Sequence, residues 1–194
     1  ADYYFAVERM DYELQEAIKV MKEAGELNNT LIIITGDNGM PFPRAKASLY
    51  DAGTRQPFIV MWADQIKPGR ISNEQVSLVD IAPTFLDAAN AQTSEIMHGK
   101  SLLPYLINDE PLNRPFINGG RERHGYDARP NHGGYPVRTL RDGQYLLIHN
   151  FRPDRWPGGD PIAPKDGKRG CHDVDGSPTK EYMLDHKDDA DMNI

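Results

Sequence analysis

Three observations predict an α/β fold with a smaller antiparallel α+β subdomain behind it. Apolar residues recur at three- and four-residue steps from Tyr4 to Met21; two unbroken apolar runs follow, LIIIT at 31–35 and PFIVMW at 57–62; past residue 93, short β-prone segments broken by Pro and Gly take over. A helix leading into a strand with no polar alternation is the pattern of a sheet covered on both faces. The length agrees, since 194 residues with 39% apolar content can bury the core of one domain plus an appendage.

Taken in order, Tyr4, Val7, Met10, Leu14, Ala17, Ile18 and Met21 share one stripe of a helix that ends near Gly25. The segment ELNN then leads into the first strand, and the turn-rich KPGR closes the second. From Ser77, SLVDIAPTFLDAAN reads as a helix whose start is marked by Ser77 or Asp80, with Pro83 tolerated in its first turn. Downstream, PVRTLRDGQYLLIHN gives two β-prone runs joined by Asp142-Gly143, a dipeptide favoured in two-residue hairpin turns. The stretch NFRPDRWPGGDPIAPKDGKRG holds too many breakers for regular structure and predicts a long loop, ordered by packing. Trp62 and Trp156 are read as packing residues.

Composition removes several function classes. With 22 basic and 29 acidic residues the net charge is −7, which disfavours nucleic acid and anionic membranes as general partners. Cys171 is the only cysteine, so an intrachain disulfide and a thiolate zinc cluster are excluded. No apolar run reaches the ~20 residues of a membrane span, and the first residues carry no targeting signal.

The first strand ends on Asp37 and Asn38, followed by MPFPRAK. Strand carboxyl ends in an open α/β sheet face a ligand crevice. A carboxylate beside a carboxamide suits a hard cation, Ca²⁺ or Mg²⁺, although two ligands are fewer than such an ion takes. Asp-Asn-Gly is also a common turn, and by themselves these residues favour the turn.

The stretch TGDNGMPFPRAKASLYDAGTRQPFIV resembles the second half of the type I sulfatases of the alkaline phosphatase superfamily. VSLVDIAPTFLDAA and HGKSLLPYL resemble the stations that follow, and DNGMPFP, GRERHGYD, PDRWPGGDP and DGSPTKEYML look most like the heparan N-sulfatase branch. The resemblance implies an alkaline phosphatase-like sandwich, with residues 1–93 the C-terminal portion of its large domain and 94–194 the smaller subdomain. It implies Asp37 and Asn38 as ligands of Ca²⁺, with Mg²⁺ the alternative, and Lys46 as the catalytic basic residue that holds the sulfate. Arg123 and His124 become candidates for substrate contact, His132 and Arg138 weaker ones, and Arg121, Arg123, Arg138 and Arg141 a basic cluster attracting acidic sugars. The implied activity is hydrolysis of sulfate esters or sulfamides on heparan-type sugars, and the implied location is periplasmic, lysosomal or secreted.

One part of the family pattern is missing. No Cys/Ser-x-Pro/Ala-x-Arg motif, the source of the family's formylglycine nucleophile, occurs: Cys171 is followed by HDVDG, and neither Ser101 nor Ser177 has the arginine. The expectation is therefore a C-terminal piece of a sulfatase, inactive alone, whose sheet faces at Ile32–Ile34 and Phe58–Met61 seek the other half or self-associate. Two alternatives stand beside it: a phosphonate or phosphate ester hydrolase of the same superfamily, and a non-catalytic module that binds sulfated glycans.

Overall fold

The structure is a computed structural model that describes residues 2–162 and 170–189. The chain forms two compact units, one of residues 1–34, 59–72 and 77–112, the other of residues 35–58, 73–76 and 113–194. Residues 163–169, the end of the expected long loop, lie outside the described residues.

In the first unit, helix α1 spans Asp2–Glu23 and stops where Gly25 takes φ +77°. A left-handed residue after the last turn is a position glycine fills without strain. Strand β1 (Ile32–Thr35) lies beside β2 (Phe58–Met61) in a two-stranded sheet. Covering on both faces is not what this chain provides: all four β1 residues are half-buried and Ile59 is 55% exposed, because two strands offer no layer to seal either face.

Helix α3 (Ile81–Ala88) starts as the sequence indicates, from a 3-10 turn at Leu78–Asp80 closed by a reciprocal capping box between Ser77 and Asp80. Pro83 is in the first turn of α3 and buried. The Asp80 carboxylate is fully buried, and its oxygens accept from the Ser77 and Lys100 backbone N–H groups at 2.9 Å each. Thr84, also fully buried, donates to the Asp80 carbonyl at 2.6 Å and accepts from Leu102 N–H at 2.9 Å. These bonds fasten α3 to the turn before helix α4 (Leu103–Asn108), with Leu102 at 1% exposure in the core. Gly99 is required there, since a Cβ would run into the Val79 carbonyl.

The second unit holds a three-stranded antiparallel sheet, β3 (Ile117–Arg121), β4 (Val137–Arg141) and β5 (Leu146–Asn150), in the order β3-β4-β5. The β4–β5 hairpin turns at Asp142-Gly143, with Gly143 at φ +96° and the Asp142 carboxylate accepting from Gln144 and Tyr145 N–H. Strand β3 reads poorly as a strand because of Gly119 and Gly120, yet those glycines face Thr139 and Arg138 in register. A Cβ at Gly119 would sit 2.5 Å from the Thr139 hydroxyl, and one at Gly120 3.0 Å from Arg138 Cδ. Helix α5 (Pro178–Asp185) is capped by Ser177, whose Oγ accepts from Lys180 N–H at 3.1 Å.

Candidate active site

The loop after β1 is cinched by close backbone approach. A Cβ on Gly39 would strike the Ala52 carbonyl and come within 2.8 Å of Gly53 Cα, so Gly39 is buried against the short helix α2 (Asp51–Thr54) that Gly53 occupies. Inside this clasp the Lys46 N–H donates to the Met40 carbonyl at 2.9 Å. That bond brings the backbone of Lys46 back to within two residues of Asn38. Arg44 and Ala47, on either side of Lys46, take left-handed backbone at φ 63° and 61°. Neither is glycine, and such residues cost about 1–3 kcal/mol each unless their surroundings hold them, a pattern that gathers at functional sites.

Asp37 and Asn38 are exposed at the mouth of the loop. Asp37 Oδ1 accepts from Asn38 N–H at 2.9 Å, and Asn38 Nδ2 donates to the Gly39 carbonyl at 3.0 Å. The second bond uses one of the two carboxamide N–H donors, while Oδ1 is the group's acceptor. One anionic and one neutral oxygen are ligand types that a hard cation accepts. Among the described residues there is no group of three or more His, Cys, Asp or Glu that could hold a metal, and two oxygens alone do not complete a hard cation's shell.

Lys46 is half-buried, and its ammonium pairs with Asp175 at 3.0 Å. An ammonium has three donors, so this contact leaves two for an oxyanion. Two residues before Asp175, Asp173 is buried at 2% exposure and pairs with Arg129 at 2.7 Å. Asp173 Oδ1 also accepts from Gly125 N–H at 2.7 Å, and Arg129 donates to the Trp156 carbonyl at 2.6 Å and the Pro157 carbonyl at 3.2 Å. Arg121 donates to the Ala47 carbonyl, which ties the strained loop to β3. Burial depresses the Arg121 pKa, nearby Asp173 opposes that, and Arg129 adds to it. Both guanidinium carbons stand 5.1 Å from the ring centre of Tyr135, whose hydroxyl burial pushes up in pKa.

The remaining candidates are placed differently. Arg123 and His124 are exposed in the turn beyond β3. Arg123 donates to the His132 carbonyl at 3.0 Å and lies 5.0 Å over Tyr126, which stacks on the His132 ring at 4.0 Å. The basic cluster is not an open patch: Arg138 pairs with Glu122, Arg141 with Asp51, and Arg121 is turned inward to Ala47. The sequence shows the arginines and hides their partners, which come from other elements. It also hides Arg129, Asp173 and Asp175, whose roles emerge only when the 121–129 and 171–177 segments meet. Trp156 corrects its reading as a packing residue, since it is 49% exposed on the wall of a cavity.

Comparison with known proteins assigns the family. Residues 1–91 match the sulfatase family model, and the human N-sulphoglucosamine sulphohydrolase is 35% identical over 161 residues, covering 78% of this chain and 31% of that protein. The chain belongs to the sulfatase family. A protein solved in complex with its substrate, D-glucosamine-2-N,6-O-disulfate, superposes with TM-score 0.65 at 29% identity over 76% of this chain and 30% of that one. A phosphonate monoester hydrolase from Silicibacter pomeroyi shares the fold, with TM-score 0.60 at 22% identity over 92% of this chain and 37% of that one. The fold is thus that of the alkaline phosphatase-like sulfatases, an α/β portion with an antiparallel subdomain. The chain spans roughly a quarter to a third of the length of these curated relatives, the human protein and two ulvan-active sulfatases of Formosa agariphila. Among the described residues no helix is long and apolar enough to cross a membrane.

Proposed function

We propose that this chain is the part of a sulfatase that supplies two metal ligands and the sulfate-gripping lysine for hydrolysis of sulfate esters or sulfamides on heparan-type amino sugars. The observation that carries the reading is the clasped loop 37–53, in which Lys46 returns to within two residues of Asn38 under backbone strain. Relatives named for N-sulfoglucosamine and for a glucosamine disulfate substrate support the sugar class.

In this reading Asp37 and Asn38 would hold a Ca²⁺ ion, with Mg²⁺ the alternative, and such a cation would supply positive charge for the sulfate. Lys46 donates to a sulfate oxygen where charge grows as the S–O or S–N bond breaks, which lowers the barrier only if the ammonium is already in place. The Asp175 carboxylate and the Lys46–Met40 backbone bond keep it there. Overall, water adds to sulfur, hydrogen sulfate leaves, and the sugar oxygen or nitrogen takes the proton. Arg123 and His124 stand as contacts to the sugar, residues 1–93 as the large-domain portion and 94–194 as the subdomain. The formylglycine nucleophile and the remaining metal ligands would come from other parts of the intact enzyme, and the family relation supports a secreted, periplasmic or lysosomal setting for it.

The test uses the intact enzyme that contains this chain. Lys46→Ala is expected to lower kcat/KM on N-sulfoglucosamine by about 10²–10³, the size of losing one preorganised charge donor, with an unchanged unfolding midpoint. A Lys46→Ala enzyme as fast as wild type overturns the assignment. Preference for phosphonate monoesters over sulfated sugars would reassign the substrate.

A further inference from the structure

The second unit contains a cavity of about 250 Å³ lined by Arg129, Gly133, Asp154, Arg155, Trp156 and Asp160, together with Pro130. Its walls are fixed from behind. Arg129 is buried and held by Asp173, while Asp154 is chelated by Arg152 through contacts of 2.8 and 2.6 Å. Arg155 donates to the Gly134 carbonyl, and a Cβ at Gly133 would come within 3.2 Å of that guanidinium, so the glycine keeps room for it. Asp160 is set by its own N–H on the Ala128 carbonyl at 2.7 Å and by its Oδ1 accepting from Ile162 N–H at 3.0 Å.

With Arg129 and Asp154 already neutralised, the cavity is left with one guanidinium, one carboxylate and a half-exposed tryptophan in its wall. The volume falls below the ~300–1,000 Å³ of sites for drug-sized ligands, which suits a single ring. A pyranose fits all three features: its C–H face covers the indole, a hydroxyl donates to Asp160, and a hydroxyl, carboxylate or sulfate oxygen accepts from Arg155.

The chain itself ties this cavity to the lysine site. Asp173 binds the cavity-wall residue Arg129 and Asp175 binds Lys46. Two residues of backbone span at most about 7 Å, so the carboxylates that hold Arg129 and Lys46 hang from adjacent points of one segment.

We propose that the cavity is a second saccharide subsite, which takes the ring next to the one whose sulfate Lys46 grips. This rests on the sulfated-sugar reading and sharpens it from a monosaccharide to an oligosaccharide substrate.

The test follows the Trp156 indole N–H signal of the intact enzyme that contains this chain by NMR, assigned by its loss in Trp156→Phe. N-sulfoglucosamine and a heparan-type disaccharide carrying it are the probes. The disaccharide should shift the Trp156 signal saturably, and Trp156→Ala and Asp160→Asn should each weaken disaccharide binding by about tenfold while leaving the monosaccharide unchanged. Trp156→Phe, which keeps a ring face, should restore most of the affinity. Failure of the disaccharide to bind at millimolar concentration, binding without movement of the Trp156 signal, or full affinity in both variants overturns the subsite. Lys46→Ala separates the two readings: if it leaves the affinity of both sugars intact, the role of Lys46 falls and the subsite stands.

Discussion

Asp173 and Asp175 sit two residues apart, each paired with one cation, and the structure predicts opposite outcomes on removing their charges. Asp173→Asn keeps an oxygen for Gly125 N–H but strips the counter-charge from Arg129, whose side chain is 4% exposed. Arg121, turned to the same Tyr135 ring, adds a second positive charge nearby. Leaving one member of a buried pair uncompensated costs about 3–5 kcal/mol. Asp175→Asn breaks a pair whose side chains are 31% and 37% exposed, and pairs of that kind contribute about 0–1 kcal/mol. Urea unfolding in a Trp62→Phe background reads the difference locally, because Trp156, then the only tryptophan, accepts from Arg129 through its carbonyl. At a urea slope of roughly 2 kcal/mol per molar, the midpoint should fall by about 1.5–2.5 M for Asp173→Asn and by less than ~0.5 M for Asp175→Asn. Replacing Arg129 and Asp173 together by Met and Leu should recover most of the loss, since a buried pair exchanged for apolar groups of similar volume is near neutral. An Asp173→Asn midpoint within about 0.5 M of the parent, or equal loss in both variants, would refute the account.

Three further outcomes follow from the same geometry. The Arg152 guanidinium holds the exposed Asp154 carboxyl down to about 2. Because the folded value is depressed, the stability it adds is present above the ordinary carboxylate pKa and is lost as pH falls toward 2; an NMR titration should show that midpoint, and Arg152→Ala should return it toward ~3.9. Burial pushes the Cys171 thiol up, so alkylation at pH 8 should be slower in the folded chain than after urea unfolding; equal rates would contradict the burial. Ala47→Gly removes the left-handed penalty at φ 61° and should stabilise the chain by about 1 kcal/mol in urea; an unchanged or lower midpoint would refute strain at Ala47.

The elements that were legible are those whose signal is local. The α1 stripe, the two aliphatic strands, the Ser77–Asp80 start of α3 and the Asp142-Gly143 turn each depend on spacing or on one dipeptide, and each lies where the residues put it. Strand β3 was not legible, because Gly119 and Gly120 look like breakers until Thr139 and Arg138 are opposite them. The arginines misled for a related reason. Charge is visible in a sequence, whereas the Glu122, Asp51 and Ala47 partners that cancel it are separated from Arg138, Arg141 and Arg121 by 16, 90 and 74 positions.

The buried Arg121–Arg129–Asp173 group and the strained Lys46 loop form one device. Arg121 reaches out of β3 to the carbonyl of Ala47, one of the two left-handed residues that set the course of the chain at Lys46. The buried Arg129 guanidinium behind it needs a fixed acid, and Asp173 is that acid, its charge also acting on half-buried Arg121. The same short segment then carries Asp175 to the Lys46 ammonium. Backbone strain at a binding loop persists only where its surroundings outweigh it, and here those surroundings are a charged core rather than an apolar one. A guanidinium is rigid and directional, so it fixes the carbonyl of Ala47 in a way that an aliphatic side chain of equal volume would not. Stability alone would be served as well by Leu and Met at these positions. The arginines gain their value from holding the lysine loop in one shape, so Arg121→Met should leave the unfolding midpoint nearly unchanged while weakening the N-sulfoglucosamine binding proposed for Lys46; unchanged affinity would refute the link.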